Sequence, residues 1–321
     1  MAAKNMNEVI LLEPSLLDDS ENLKDIIFWQ HAMNRPQGWH YDLDFLWILK
    51  SLKDKNIGKN ATILDAGGGL GPFQYILSAR GYNVVSLDFS RREPPIEAKG
   101  LFNITVDEKD FNYDHDYQDF ISLQDNVLLK DKVIKALKEF NWLSLRWIFY
   151  KLKTWVLHTY FSKKAKFTLD KRKFGNLTFR RAAFHDIPYE DNYFDAVVSI
   201  SAIEHADKNL LKQNISEILR VVDPSGMVLL TTSSSTNDQE EFDYQTSGWC
   251  FSSDSISKIM GREVSFRQQD LESASKKILT SEHWRRRLDP YYLLDKGSPF
   301  SKKKIKSLPY LPIGFVLTKT H

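Results

Sequence analysis

Asp65 stands two residues ahead of Gly67 in the run Ala61-Thr62-Ile63-Leu64-Asp65-Ala66-Gly67-Gly68-Gly69-Leu70-Gly71. The apolar residues read as a strand, the glycines as a turn, and Pro72-Phe73-Gln74-Tyr75-Ile76-Leu77 as the start of a helix. That arrangement brings a ligand against backbone amides. A dinucleotide fold asks for G-x-G-x-x-G, but counted from Gly67 the third glycine is replaced by Pro72. A carboxylate just before the turn repels a phosphate and attracts a cation, such as the ammonium of an amino acid. A nucleoside joined to an amino acid satisfies both halves of such a site. Farther on, Asn83-Val84-Val85-Ser86-Leu87-Asp88 reads as a second strand ending in an acid. It lies about 20 residues after the turn, the spacing at which an acid meets ribose hydroxyls.

Asp65-x-Gly67-x-Gly69-x-Gly71 resembles motif I of the class I S-adenosylmethionine-dependent methyltransferases, and three later segments resemble the family in order. Phe184-His185-Asp186-Ile187-Pro188 resembles its adenine-contacting segment, and Phe194 to His205 its fourth strand and following loop. Ile218 to Thr231 resembles its helix, turn and fifth strand. The resemblance covers roughly 61–105 and 176–232. It implies an α/β fold: a doubly wound, Rossmann-like, seven-stranded, mainly parallel sheet, its last strand antiparallel at the edge. It also implies S-adenosylmethionine as cofactor, with S-adenosylhomocysteine as product. Asp65 would meet the methionine ammonium, and the Gly67, Gly69 and Gly71 backbone would approach methionine and ribose. Asp88 would accept the ribose hydroxyls and Asp186 the adenine amino group, with Phe89 and Ile187 flanking the ring. Ser201 completes the expected cofactor set. It stands where some ubiquinone-pathway relatives carry a metal-binding Glu, so no metal is expected.

Methyl transfer is a direct displacement that needs alignment and exclusion of water. A hydroxyl acceptor needs a base as well. His205 is the candidate, since imidazole titrates near ~6.5 and the resemblance sets it after the fourth strand, at the sheet edge where ligands bind. Glu204 is placed to orient it, or to form a salt bridge.

The elements that must carry these residues are ordinary for a globular chain. Hydrophobic residues at 42% and charged residues at 27% fit a packed core. A net charge of +2 does not by itself indicate a nucleic-acid binder. Cys250 is the single cysteine, so neither an internal disulfide nor a cysteine metal site can form. No signal peptide or spanning helix is read from the sequence, and the expected location is cytoplasmic.

Residues 1–60 read as an N-terminal helical cap. Its aromatics Phe28, Trp29, Trp39, Tyr41, Phe45 and Trp47 either cover the cofactor or pack on the sheet. His40 and Tyr41 are outside candidates for the pocket wall. Residues 61–106 and 176–321 form the expected core, interrupted by an insertion over 107–175. The insertion passes from acidic, with Asp114-His115-Asp116 read as a solvated loop, to basic and aromatic. Within 141–161 a helical period puts Trp142, Leu145, Phe149, Leu152, Val156 and Tyr160 on one stripe, with Trp147 well off it. Phe251 to Ile259 reads as a helix capped by Ser252 or Ser253, and Ile313 to Thr318 as the last strand. Basic runs lie at Arg285-Arg286-Arg287 and Lys302-Lys303-Lys304-Lys306.

Arg35 to Asp44 resembles bacterial methyltransferases associated with surface-polysaccharide biosynthesis. The first reading of the acceptor is therefore a sugar hydroxyl, free, nucleotide-linked or in a lipid-linked glycan. The alternatives are a lipid or quinone-like acceptor at the membrane surface, with peripheral contact to anionic lipid, and a non-catalytic cofactor-binding scaffold. Nucleic acid is disfavoured for want of an RNA-binding module. Sequence alone leaves the oligomeric state open.

Overall fold

The computed structural model describes residues 8–107, 134, 138, 142–244, 247–261, 263–282 and 308–319. The Asp114-His115-Asp116 cluster and the basic runs at 285–287 and 302–306 lie outside the described residues.

The chain begins with β1 (Glu8–Leu11), α1 (Ser20–Ala32) and α2 (Tyr41–Asp54). It continues through β2 (Thr62–Ala66), α3 (Phe73–Ala79), β3 (Asn83–Asp88) and β4 (Ile104–Asp107). Then come α4 (Trp142–Thr168), β5 (Leu177–Arg181), β6 (Phe194–Ile200), α5 (Leu211–Val221) and β7 (Val222–Ser234). A short hairpin, β8 (Glu241–Asp243) and β9 (Gly248–Cys250), precedes α6 (Ser253–Met260), α7 (Gln268–Thr280) and β10 (Leu311–Leu317).

Eight strands form one sheet in the order β1-β10-β7-β6-β2-β3-β5-β4, and within it β10 alone runs against the others. The expected doubly wound α/β architecture is present, with one strand more than the resemblance implies. The addition comes from the N-terminal segment. β1 pairs with β10 from Glu8↔Val316 to Leu11↔Ile313, so the antiparallel last strand is interior and β1 is the edge.

Alternation along the strands divides the core between two faces. Ile63, Val84, Val198 and Leu229 join one apolar cluster with α1, α2 and α3. Leu64, Val85, Val197 and Leu230 join another with α5 and α6. The N-terminal helices are thus part of the core. Leu43 to Leu49 of α2 are all buried, and Trp47 lies over Gly314 of β10, where an added Cβ would come 2.8 Å from its indole. α6 starts as expected: Ser252 Oγ accepts from the Ser255 amide at 3.3 Å. It ends at Gly261, whose φ of 63° is left-handed.

Between β4 and β5, α4 docks by the face opposite its apolar stripe. Trp147 is 2% exposed and Ala165 fully buried, whereas Trp142, Phe149 and Tyr160 on the stripe are 74%, 67% and 58% exposed. The off-stripe Trp147 is therefore the buried aromatic of the helix. Phe161 packs edge-on against Phe28 of α1 with ring centres 5.4 Å apart. His158 Nδ1 donates to the His31 carbonyl at 2.9 Å, and its Nε2 lies 3.3 Å from Glu97 Oε1.

Candidate active site

The chain order reverses beside β2: β3 and β5 lie on one side of it and β6 on the other. Ligands bind in open α/β sheets at that kind of switch point, beyond the carboxyl ends of the strands. A cavity of about 630 Å³ opens there. Its wall includes Asp65 and Gly67 to Gly71 after β2, Asp88 and Phe89 after β3, and Ser201, Ala202 and His205 after β6.

Asp65 is buried and accepts from Ser86 Oγ at 3.1 Å. Burial pushes its carboxyl up to about 6, against the pull of the nearby Arg92 charge and the Ser86 hydroxyl. Arg92 is itself buried. It donates to Ser86 Oγ at 2.8 Å, to the Ser86 carbonyl at 2.6 Å and to the Gly69 carbonyl at 3.1 Å. It thus ties the glycine turn to β3. Asp88 Oδ2 accepts from the Gly69 amide at 2.9 Å, and Oδ1 from the Ser90 amide and hydroxyl at 2.9 and 2.6 Å.

The glycines have different reasons to be glycine. Gly67 has φ of 76°, and a Cβ there would come 2.4 Å from Ala202 Cβ. At Gly68 a Cβ would come 2.1 Å from Ser86 Oγ and 2.4 Å from Asp65 Oδ2. Near Gly71 the closest atom to a Cβ is 3.7 Å away, so the protein's own packing does not demand glycine at that point of the wall.

His205 ends a 3-10 turn, Ile203–His205, that buries Ile203 and Glu204 and leaves the imidazole on the wall. Its Nδ1 lies 3.0 Å from the Ser247 carbonyl. A carbonyl only accepts, so Nδ1 carries the hydrogen and Nε2 is the basic nitrogen. Gly248 of β9 packs on the ring, where a Cβ would come 3.0 Å from Cε1.

Three expected residues are not on the wall. Glu204 turns into the core, where Oε2 accepts from Thr232 Oγ1 at 2.9 Å. Burial pushes its carboxyl up, the neighbouring His205 opposing. The Ser247 carbonyl, not Glu204, orients His205. Asp186 is exposed to solvent, its amide bonded to the Ala183 carbonyl at 3.3 Å in a tight turn. Ile187 is 1% exposed and belongs to the core. Its amide donates to Glu217 Oε2 at 3.1 Å and its carbonyl accepts from Arg220 at 2.8 Å, which pin it toward α5. From the same segment, Phe184 and His185 line the cavity instead.

Arg35, Gln37, Tyr41 and Phe45 complete the wall from the N-terminal side. His40 is buried, with Nδ1 2.7 Å from Asp44 Oδ2. Asn214 of α5 also lines the cavity, and its buried side-chain carbonyl oxygen has no hydrogen-bond partner.

These residues fit S-adenosylmethionine. A buried carboxylate on the wall has no direct ion-pair partner among the described residues, the turn presents backbone in place of side chains, and a second acid stands beyond it. Residues 147–230 match the model of a methyltransferase domain family. The matched stretch runs from α4 into β7 and leaves the glycine turn outside it. The match supports an S-adenosylmethionine-dependent methyltransferase.

No curated protein sequence matches the chain. Among solved structures, a putative sarcosine dimethylglycine methyltransferase from Galdieria sulphuraria overlays with a TM-score of 0.41 at 12% identity, over 92% of this chain and 98% of that one. Phosphoethanolamine N-methyltransferase 2 from Haemonchus contortus, solved with S-adenosyl-L-methionine, gives 0.40 at 16%, over 96% of this chain and 60% of that one. An S-adenosylmethionine-dependent methyltransferase from Methanosarcina mazei gives 0.40 at 12%, over 84% and 96%. Overlays this loose carry nothing about substrate.

Proposed function

We propose that the protein transfers a methyl group to a hydroxyl of a polar acceptor, a sugar or glycan being the class that suits the wall best. S-adenosylmethionine supplies an electrophilic methyl carbon. Asp65 and the Gly67–Gly71 backbone would hold its amino-acid end, and Asp88 its ribose. Arg35, Gln37 and Tyr41 offer the acceptor polar contacts on the same wall. His205 Nε2 takes the proton of the acceptor hydroxyl as its oxygen attacks, while the remaining wall keeps water from competing.

The observation that carries this reading is the contact of His205 Nδ1 with the Ser247 carbonyl at 3.0 Å. A carbonyl accepts, so Nδ1 carries the hydrogen in that contact and Nε2 is the nitrogen left to act as the base in this reading. A hydroxyl needs such a base, and an amine that is already neutral does not. The test is turnover to S-adenosylhomocysteine across sugars, nucleotide sugars and lipid-linked glycans. We expect His205→Ala to lower kcat by about 10²- to 10⁴-fold with little change in S-adenosylhomocysteine binding. Undiminished turnover in that variant would remove the base from His205. Tight cofactor binding without turnover on any acceptor would favour a non-catalytic scaffold.

A further inference from the structure

The outward face of α4 is the one large apolar surface that the core and the site leave unused among the described residues. Trp142, Phe149, Leu152, Val156, Tyr160 and Phe167 follow one another at three-, four- and seven-residue steps, so they share one side of the helix. All are more than half exposed, from 51% at Val156 to 85% at Phe167. Over 27 residues the helix is roughly 40 Å long at 1.5 Å per residue. Isolated exposed hydrophobics are normal, but a continuous ridge of this size marks a contact surface.

Charge decides what it contacts. α4 contains Arg146, Lys151, Lys153, Lys163, Lys164 and Lys166 and no Asp or Glu, in a chain whose net charge is only +2. Arg146, Lys153 and Lys164 are exposed and sit one turn from Trp142, Phe149 and Tyr160, along one flank of the ridge. A second copy of the same face would bring cations against cations. Single-stranded nucleic acid would stack on aromatics, yet Leu152 and Val156 occupy the middle of the ridge. The headgroup–acyl boundary of an anionic bilayer takes aliphatic and aromatic side chains alike and neutralises the flanking cations. None of the described helices is long and apolar enough to cross a membrane, so such a helix would lie in the plane of the surface.

We propose that the outward face of α4 seats the protein on an anionic lipid surface, with the Trp142–Tyr160 ridge in the headgroup–acyl boundary and Arg146, Lys153 and Lys164 at the lipid phosphates. The proposal does not depend on the methyl-transfer reading. It does join the cavity mechanically: α4 is held to the last turn of α1 through His158 and His31, and the chain leaving α1 supplies Asn34 and Arg35 to the cavity wall.

The test is flotation of the full chain with vesicles of phosphatidylcholine alone and of phosphatidylcholine mixed equally with phosphatidylglycerol. Calorimetry with S-adenosylhomocysteine on the same samples reports the integrity of the core. Flotation is expected with the anionic vesicles only. Val156→Asp should cut the vesicle-bound fraction by about tenfold, and Lys153→Glu with Lys164→Glu should abolish the anionic preference. Both variants should bind S-adenosylhomocysteine as the parent does. The proposal is overturned if the parent chain stays at the bottom of the gradient, or if Val156→Asp floats equally well. It is also overturned if light scattering shows a dimer that Val156→Asp dissociates while no vesicle binding occurs. Loss of S-adenosylhomocysteine binding by the parent would count against the methyltransferase reading and leave the flotation result standing.

Discussion

Asp65 has two conflicting requirements, burial and charge. Its carboxyl is pushed up to about 6 from an ordinary value of 3.8. Between those two pH values the folded chain holds a proton that the unfolded chain has lost. Ligand-free stability from this group therefore falls as pH rises through that window and is level above about 6. A ligand ammonium needs the ionised form, so its binding should run the opposite way. Calorimetry with S-adenosylhomocysteine should give a constant affinity above pH 7 and a loss approaching tenfold per unit well below 6. Asp65→Asn should bind weakly with no such slope, and a parent profile flat down to pH 5 would remove Asp65 from the ammonium. Asp65 and Asp88 were legible in the sequence because each ends a strand at a fixed distance from the glycines. Arg92 was not, since nothing in Ser90-Arg91-Arg92-Glu93 tells which arginine turns inward. Asp186 and Ile187 misled for a related reason. A five-residue resemblance fixes neither the turn that exposes Asp186 nor the Glu217 and Arg220 contacts that draw Ile187 into the core.

At the scale of elements, the β8–β9 hairpin sets His205. Ser247 supplies the carbonyl that fixes the tautomer, and Gly248 leaves room for the ring. A methyl at Gly248 would come 3.0 Å from Cε1 and 3.3 Å from Nδ1. It should therefore displace the imidazole without touching the glycine turn. Gly248→Ala is expected to lower kcat by about 10- to 100-fold and to leave S-adenosylhomocysteine affinity within about twofold; equal losses in both would mean that the hairpin supports the whole cavity. Strands of three residues have too few alternations to be read from sequence. α4 shows another limit of legibility. Its period told which residues share a face, but a period does not say which face docks. Ser162 and Ala165, both buried, let that side approach the core closely, and Ala165 joins the apolar cluster that holds α1 and α2. Small residues of that kind carry almost no signal in a hydrophobicity pattern.

Over the whole molecule, the two ends of the described chain are built into each other. α2 lies against β10, and Gly314 leaves the room that the Trp47 indole occupies. Gly314→Ala should cost about 1–3 kcal/mol in denaturant unfolding, the usual penalty of overpacking a core. Gly58→Ala, which would meet nothing within 4 Å, should stay within about 0.5 kcal/mol; equal stabilities of the two variants would show that the indole can move aside. The central strands were readable as buried apolar runs, as parallel strands usually are. β1 was hidden in a segment whose helices dominate its pattern. Its place also bears on how the protein is made. Glu8 to Leu11 leave the ribosome about 300 residues ahead of β10, which is their only neighbour in the sheet among the described residues. Until then the outer edge of β7 is bare, its amides and carbonyls free to pair with another nascent chain. Completion of the sheet must wait for translation to reach Leu317, and a messenger broken before Leu311 would yield a product with every residue of the cavity wall present and its sheet open.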